Sequence, residues 1–160
     1  MPYQAQLPTP FAVLGIRCSD TAVTEIVFLP LSTSVQSPSN AVATEACRQL
    51  LRYVADPTVP FDLPLNFHAT PHQAKVWRAL CEIPCGETRQ YGELAKTLHS
   101  AAQAVGQACG ANPLPIVIPC HRVVSRAGLG GFMLHRDGDA LDIKRWLLAH
   151  ERATCARANK

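Results

Sequence analysis

Two short apolar runs, residues 11–17 and 23–28, are joined by a polar turn near the start of the chain. This arrangement predicts a β-hairpin. Four apolar residues then recur at every fourth position, as on one face of a helix: Val42, Ala46, Leu50 and Val54. Apolar and polar positions alternate over residues 61–67, where Pro64 favours an edge strand. The first 69 residues therefore predict a small sheet with one helix.

The second half predicts helices with clear start and stop signals. Thr70 and Gln73 have the spacing of a capping box, and Pro71 occupies the first helical position. The helix that they open contains apolar residues at helical spacing and ends before Pro84 and Gly86.

Three more helices follow in the pattern. Apolar residues mark one over residues 91–98, and Ser100 and Gln103 repeat the capping-box spacing at the start of the next, which extends to about Cys109. Two short helices with a tight turn between them form a helix-turn-helix motif. The small side chains of its second helix permit close approach either to another surface or to the protein itself. A last helix is predicted around residues 141–148.

Composition limits the class of protein. The chain of 160 residues contains no run of about 18 apolar residues, which excludes a membrane-spanning helix. The N-terminus lacks the basic start and apolar segment of a secretory signal. The seven cysteines are an odd number with irregular spacing, which favours reduced thiols over a disulfide framework. We therefore expect a cytoplasmic protein without a membrane partner.

Charge is distributed unevenly along the chain. Residues 1–70 contain three Arg and five acidic residues, a net charge of −2. Residues 71–160 contain twelve Lys or Arg and seven acidic residues, a net charge of +5. A basic region is typical of nucleic-acid binding, but a solvated basic surface gives the same count. Charge alone therefore leaves both interpretations open.

A rigid segment with a nucleophile lies between the predicted helix that extends to about Cys109 and the last predicted helix. Residues 116–118 predict a short buried strand between prolines, and Pro119 fixes a backbone torsion just before Cys120. A cysteine attacks as the thiolate, and a nearby cation lowers its pKa. His121 and Arg122 follow Cys120 directly. The Cys-His pair alone also fits an inert buried thiol, because neighbours on a strand point to opposite faces.

A longer pattern is more specific. Asn112 is followed, after six residues, by PCHRV at residues 119–123, and LLAHE occurs at residues 147–151. These motifs, with IPCGETRQYGELA at residues 83–95 and AVG at residues 104–106, closely resemble the O6-alkylguanine-DNA alkyltransferases. The resemblance covers about residues 70–151. Earlier residues fit the family only by size and by their order of strands and helix.

The resemblance implies an α+β fold. A small N-terminal sheet-plus-helix domain, residues 1–69, would precede a C-terminal winged helix-turn-helix-like domain, residues 70–160. It further implies a single-use DNA repair protein that flips O6-alkylguanine out of double-stranded DNA and transfers the alkyl group irreversibly to Cys120. No cofactor and no metal are expected. We expect a monomer, and we leave open cooperative binding to DNA and O4-alkylthymine as a second substrate.

The resemblance assigns four residues to the reaction. Cys120 matches the alkyl acceptor, and His121 matches the base that deprotonates it through a water. Glu151 matches the carboxylate that orients the imidazole, as in other nucleophile–His–acid triads. Asn112 matches the asparagine that ties the helix-turn-helix to the active-site loop.

Further residues are assigned to the substrate and to DNA. Pro115 matches a proline on one face of the guanine pocket, and the backbone near Val123 would read the edge of the base. Tyr91 matches a tyrosine that crowds the target phosphate and protonates the leaving guanine at N3. Phe132 could stack on the base. The expected DNA-binding residues are His72, Tyr91, Gly92, Gln103 and Arg126.

The chain departs from the family at three points. Gln103 stands where the family often has an arginine that fills the gap left by the flipped base. Phe132 stands where the pocket loop usually ends in tyrosine, so it cannot donate a hydrogen bond to the base. Some relatives bind a structural zinc, but the C-x3-C spacing of Cys81 and Cys85, without a second close pair, does not indicate one.

Two other functions fit parts of the pattern. A cysteine hydrolase would use Cys120, His121 and Glu151, although no evident oxyanion-hole glycines stand beside Cys120. A DNA-binding module that recognises lesions without chemistry would not need Cys120. An assay with a labelled substrate separates the three functions. A hydrolase would release labelled product repeatedly, a recognition module would only bind the labelled DNA, and the transferase would move the label once to Cys120.

Overall fold

A computed structural model describes residues 2–133 and 139–158 and has the expected α+β architecture. The chain divides into two compact units, Met1–His68 and Ala69–Lys160. The first unit contains β1 (Ala5–Pro8), β2 (Val13–Cys18), β3 (Val23–Leu29) and α1 (Ala41–Ala55). The second contains α2 (Pro71–Cys81), β4 (Arg89–Gln90), α3 (Tyr91–Thr97), α4 (Ala102–Gly110), β5 (Val123–Val124) and α5 (Asp139–Ala158). No helix among the described residues is long and apolar enough to cross a membrane.

The first unit is an antiparallel sheet in the order β1-β2-β3, on which α1 packs. The predicted hairpin is confirmed as β2 and β3, whereas β1 was not predicted. The predicted helix is also confirmed, but Val42 and Val54 are only half-buried. A four-residue repeat drifts by about 40° per step around a helix of 3.6 residues per turn. The buried residues of this helix are instead Ala43, Ala46, Cys47, Gln49, Leu50 and Tyr53.

The predicted edge strand over residues 61–67 is wrong. Only Leu65 forms a bridge there, with Val23 of β3. The Val23 N–H donates to the carbonyl of Pro64 over 2.8 Å, and the Asn66 N–H donates to the carbonyl of Val23 over 3.0 Å. Pro60 and Pro64 have no N–H to extend this ladder, so the segment remains irregular.

The helix-turn-helix elements of the second unit are confirmed as α3 and α4. The capping box of α2 is also confirmed, with Thr70 and Gln73 each accepting from the other's backbone N–H. The capping box predicted for α4 is wrong, because Ala101 is the N-cap and no side chain caps the helix. Ser100 instead hydrogen-bonds through Oγ to Nε2 of His72 over 2.8 Å.

The segment before the candidate nucleophile is a turn, so the buried strand predicted for residues 116–118 is wrong. Ile116 has φ of 76°, and the Ile118 N–H donates to the carbonyl of Leu114 over 2.8 Å. Such a turn still buries Ile116 and Ile118. It leads into a 3₁₀ turn over Cys120–Arg122 and then into β5, which pairs in parallel with β4 and was not predicted.

Candidate active site

Asn112 organises the loop that carries the cysteine. It lies two residues after the end of α4 and is 2% exposed. Its Nδ2 donates to the carbonyl of Ile118 over 2.8 Å, and its Oδ1 accepts from the N–H of Leu114 over 2.9 Å. The side chain therefore bridges both sides of the turn, which fixes the start of the 3₁₀ turn at Cys120 relative to the end of α4.

Cys120, His121 and Glu151 are brought together in the interior of the second unit. The 3₁₀ turn contacts both α2 and α5, and α5 supplies Glu151. Nε2 of His121 lies 2.6 Å from Oε2 of Glu151, and these side chains are 0% and 1% exposed. A neutral imidazole beside an ionised carboxylate carries its proton on Nε2, which leaves Nδ1 as a lone-pair base. Within the described residues this buried Nδ1 has no hydrogen-bond partner.

Arg122 holds the other side of the carboxylate. Its Nε donates to Oε1 of Glu151 over 2.8 Å, and its terminal nitrogens donate to Oε2 over 3.1 Å and to the carbonyl of Ile83 over 2.7 Å. Burial opposes the charge of Glu151, but the hydrogen bonds from His121 and Arg122 hold its pKa well below the usual range. Glu151 is therefore a permanent anion at neutral pH.

The resting site contains a thiol and a neutral imidazole. Burial raises the pKa of the Cys120 thiol to about 11, against smaller opposing effects of Asn112 and Lys144. Burial also lowers the pKa of His121, although Glu151 opposes this change. Proton transfer from sulfur to imidazole is consequently uphill until a bound substrate changes the surroundings, which limits unwanted reactions of the free thiol.

Lys144, a fully buried residue of α5, was not among the predicted site residues. Its ammonium donates to the carbonyls of Val123, Leu129 and Gly131, each over 2.7 Å. These bonds use all three of its protons. Burial lowers the pKa of Lys144 to about 8, so the group remains mainly charged at neutral pH.

A signal for Lys144 was present in the sequence. Leu141, Lys144, Leu148 and Glu151 follow one another at spacings of three, four and three, which places them on one face of a helix. The two leucines show that this is the buried face. A lysine and a glutamate on such a face require partners, so the pattern alone predicts that both side chains are paired inside the protein.

A cavity of about 800 Å³ opens onto Cys120. Its lining includes six of the residues expected at the site: Tyr91, Gly92, Gln103, Cys120, Arg126 and Phe132. Cys109, which was not among the predicted site residues, also lines it. The Cys120 side is deep and the other side is at the surface, since Cys120 is buried whereas Gln103 and Arg126 are exposed.

Other expected residues lie away from this lining. Pro115 is buried in the turn before the nucleophile, and Val123 is buried in β5 with its carbonyl bound to Lys144. His72 lies in the first turn of α2, where it bonds to Ser100. No group of three or more His, Cys, Asp or Glu side chains in residues 2–133 and 139–158 is arranged to hold a metal ion.

Comparison with known proteins extends these observations. The family model described as 6-O-methylguanine DNA methyltransferase, DNA binding domain, matches residues 71–153. A methylated-DNA–protein-cysteine methyltransferase from Methanosarcina mazei is 36% identical over 157 residues, covering 93% of this chain and 96% of the relative.

Solved structures match over both units. The O6-methylguanine methyltransferase of Mycobacterium tuberculosis is 33% identical with a TM-score of 0.80, covering 96% of this chain and 93% of that one. The structure of OGT from the same organism in complex with DNA is 33% identical with a TM-score of 0.77, covering 93% and 92% of the two chains.

Proposed function

The chain belongs to the 6-O-methylguanine DNA methyltransferase family, and we propose that it repairs double-stranded DNA by moving the alkyl group of O6-alkylguanine onto Cys120. The observation that carries this assignment is the buried His121–Glu151 pair beside a cysteine that borders a cavity open to the surface. A base, an acid that orients it and a nucleophile are the parts of an activated thiol. The transferase activity itself is the one named for the relatives of this chain.

Activation of the thiol begins at His121. Nδ1 of His121 takes the proton of Cys120 through a bridging water, and the imidazolium so formed is stabilised by the adjacent carboxylate of Glu151. Arg122 keeps that carboxylate ionised and oriented. The ammonium of Lys144 favours the thiolate electrostatically. These contributions offset the cost of a buried anion at the moment of attack.

The transfer is a single displacement at the alkyl carbon. The thiolate sulfur forms the new S–C bond while the bond from carbon to O6 of guanine breaks, and its electron pair stays on guanine. A proton from the hydroxyl of Tyr91 to N3 neutralises the leaving base. The phenolate then regains a proton through solvent from the imidazolium of His121, which holds the proton lost by sulfur. The thioether that remains is stable, so one protein molecule repairs one lesion.

Residues around the cavity position the base. Lys144 holds the carbonyls of Val123, Leu129 and Gly131, so the backbone next to the cavity keeps one shape. We assign stacking on the base to Phe132, which lines the cavity. The resemblance assigns one face of the guanine pocket to Pro115, which lies outside the lining of the cavity in this structure. Asn112 acts as a positioning residue for the whole loop.

The DNA-binding surface in this proposal is the outer side of the helix-turn-helix. Ala102 and Gln103 are exposed on α4, and a side-chain carbon added at Gly92 or Gly106 would meet open space. Small residues there allow the duplex to approach closely. We assign phosphate contacts to Arg126 and His72 and the space left by the flipped base to Gln103, which is free of a capping role.

We extend the proposal to the state of the protein in the cell. All seven cysteines are free thiols, which agrees with a reducing compartment, and we propose a cytoplasmic monomer. The reaction is confined to residues 70–160, and residues 1–69 form a separate domain. O4-alkylthymine is kept as a second candidate substrate, and cooperative binding of several copies to DNA is kept as a further feature to be tested.

A titration of protein with an excess of labelled DNA tests this function. Transfer of label should stop at one equivalent per protein, because the thioether is not reopened. Continued release of labelled product would show a cysteine hydrolase, and binding without transfer would show a recognition module. The names of the relatives favour neither alternative.

A further inference from the structure

Two cysteines outside the reaction lie side by side. The sulfur atoms of Cys85 and Cys155 are 3.6 Å apart, and the Cys155 thiol donates to the carbonyl of Cys85 over 3.2 Å. The two residues are 70 positions apart in the chain. Cys85 lies in the segment between α2 and β4, and Cys155 lies in α5. Both are partly exposed, so a reagent in solution can reach them.

The backbone next to Cys85 is shaped around Cys155. Gly86 has φ of 87°, a conformation that favours glycine. A Cβ atom at this position would lie 2.7 Å from both the Cβ and the Sγ of Cys155. Any other residue at position 86 would therefore push α5 away from Cys85, and the close approach of the two sulfur atoms depends on this glycine.

The pair does not belong to a metal site. Among the described residues, no third His, Cys, Asp or Glu joins Cys85 and Cys155 in an arrangement that would hold an ion. A disulfide needs a sulfur–sulfur distance of about 2.05 Å, so the two atoms have to close by about 1.5 Å in total. Small side-chain rotations at the two residues provide a change of this size.

We propose that Cys85 and Cys155 are a redox site that closes reversibly into a disulfide when the protein meets a small-molecule disulfide. One protein thiolate attacks the external disulfide and expels the first small thiol; the second protein thiolate then attacks the mixed disulfide and expels the other. The protein loses two electrons and two protons, and one external disulfide becomes two thiols. The products are the same whichever of the two cysteines attacks first.

Closure would strengthen the support of the active site without rearranging it. Ile83, two residues before Cys85, accepts a hydrogen bond from Arg122. Cys155 lies one helical turn after Glu151, on the same face of α5. The disulfide therefore joins the two segments that hold Arg122 and Glu151, in the positions they already occupy. Because Cys120 is 3% exposed, an external disulfide meets the partly exposed pair first.

The test uses the full-length protein equilibrated with mixtures of oxidised and reduced glutathione. After free thiols are blocked in denaturant, peptide mapping should place the disulfide between Cys85 and Cys155 and find Cys120 blocked as a free thiol. Oxidation should raise Tm by about 10 °C, because the cross-link closes a long loop of the unfolded chain. The single-turnover rate of transfer should change by less than about twofold, since the His121–Glu151 geometry is retained.

Variants separate this site from other thiols. Cys85→Ala and Cys155→Ala should each lose the Tm increase, whereas Cys18→Ser, at a partly exposed cysteine of the other unit, should keep it. Mapping of the unaltered protein does not depend on any variant folding. The proposal is overturned if the disulfide maps elsewhere, if Cys120 is oxidised before the pair, or if either alanine variant keeps the full increase in Tm.

Discussion

Nε2 of His121 lies 2.6 Å from Oε2 of Glu151, and both side chains are almost completely buried. A buried carboxylate is stable only when its charge is matched, and here Arg122 matches it with hydrogen bonds to both of its oxygens. The carboxylate can therefore fix the imidazole tautomer without itself taking the proton. This relationship determines which ring nitrogen is available as the base.

Glu151→Gln should slow transfer strongly. The amide still fills the space, but it has no charge to stabilise the imidazolium, and we expect the single-turnover rate to fall by about 100-fold. Asp142→Asn is the matched control, because Asp142 is an exposed acid on the same helix. An unchanged rate for Glu151→Gln between about pH 6 and pH 9 would contradict the role of this residue.

Acid should destabilise the protein in two steps. Burial lowers the pKa of His121 on folding. Burial opposes the charge of Glu151, but the hydrogen bonds from His121 and Arg122 lower the pKa of its carboxyl group on folding. The unfolded chain therefore binds these protons more tightly, and stability that is present above the unfolded pKa is lost as pH falls. The loss begins near about pH 6.5 through His121 and continues below about pH 4.3 through Glu151.

Denaturant unfolding as a function of pH measures this loss. His121→Asn should remove the first step, between about pH 6.5 and pH 5, and retain the second. His99→Asn is the control, because His99 is exposed and its positive φ of 54° suits asparagine. A free energy of unfolding that rises on acidification in this range would show that the sign of the His121 shift is wrong.

Lys144→Met should damage both stability and transfer. The apolar side chain leaves the carbonyls of Val123, Leu129 and Gly131 without their donor, and buried acceptors without partners cost about 1–3 kcal/mol each before the loop relaxes. We expect a loss of about 3 kcal/mol in the free energy of unfolding. Arg145→Met, at the exposed neighbour, should leave both properties nearly unchanged; equal effects of the two variants would refute the role of Lys144.

Interactions between residues close together in the sequence could be predicted, whereas interactions between distant residues could not. The cap of α2 was predicted because Thr70 and Gln73 interact within one turn. The cap predicted for α4 failed because Ser100 bonds to His72, which is 28 residues away in the sequence. A local pattern does not reveal a hydrogen-bond partner that is distant in the sequence. The β4–β5 pair was not predicted for the same reason, because its two strands are distant in the chain.

The residues of the active site also divide into those that sequence motifs identify and those whose partners are set by distant contacts. Cys120, His121 and Glu151 were identified by resemblance, and in the structure His121, which follows Cys120 directly, pairs with Glu151. Lys144 was missed because its three acceptors lie in a loop whose path is set by tertiary contacts. The turn at residues 116–118 was predicted as a strand because β-branched, apolar residues favour strands, whereas Ile116 adopts a positive φ under the bonds made by Asn112.

Gln103→Arg should increase both the binding of duplex DNA and the transfer of the alkyl group from it. An exposed arginine at this position adds a cation where DNA is expected. The slope of the logarithm of the binding constant against the logarithm of the salt concentration should therefore steepen by about one, and transfer at limiting DNA should rise about fivefold. Transfer from the free O6-methylguanine base should not change. Gln107→Arg, also exposed and one turn later, controls for charge alone; if both variants gain equally, position 103 has no special place in DNA binding.

The location of the transferred group tests the central claim most directly. After reaction with one equivalent of duplex DNA that contains O6-methylguanine, peptide mass spectrometry should find one additional methyl group, on Cys120. Cys109→Ser, which alters the other thiol of the cavity, should still accept the methyl group, and Cys120→Ser should accept none. A methyl group on Cys109 or any other residue, or transfer that persists in Cys120→Ser, would contradict the account.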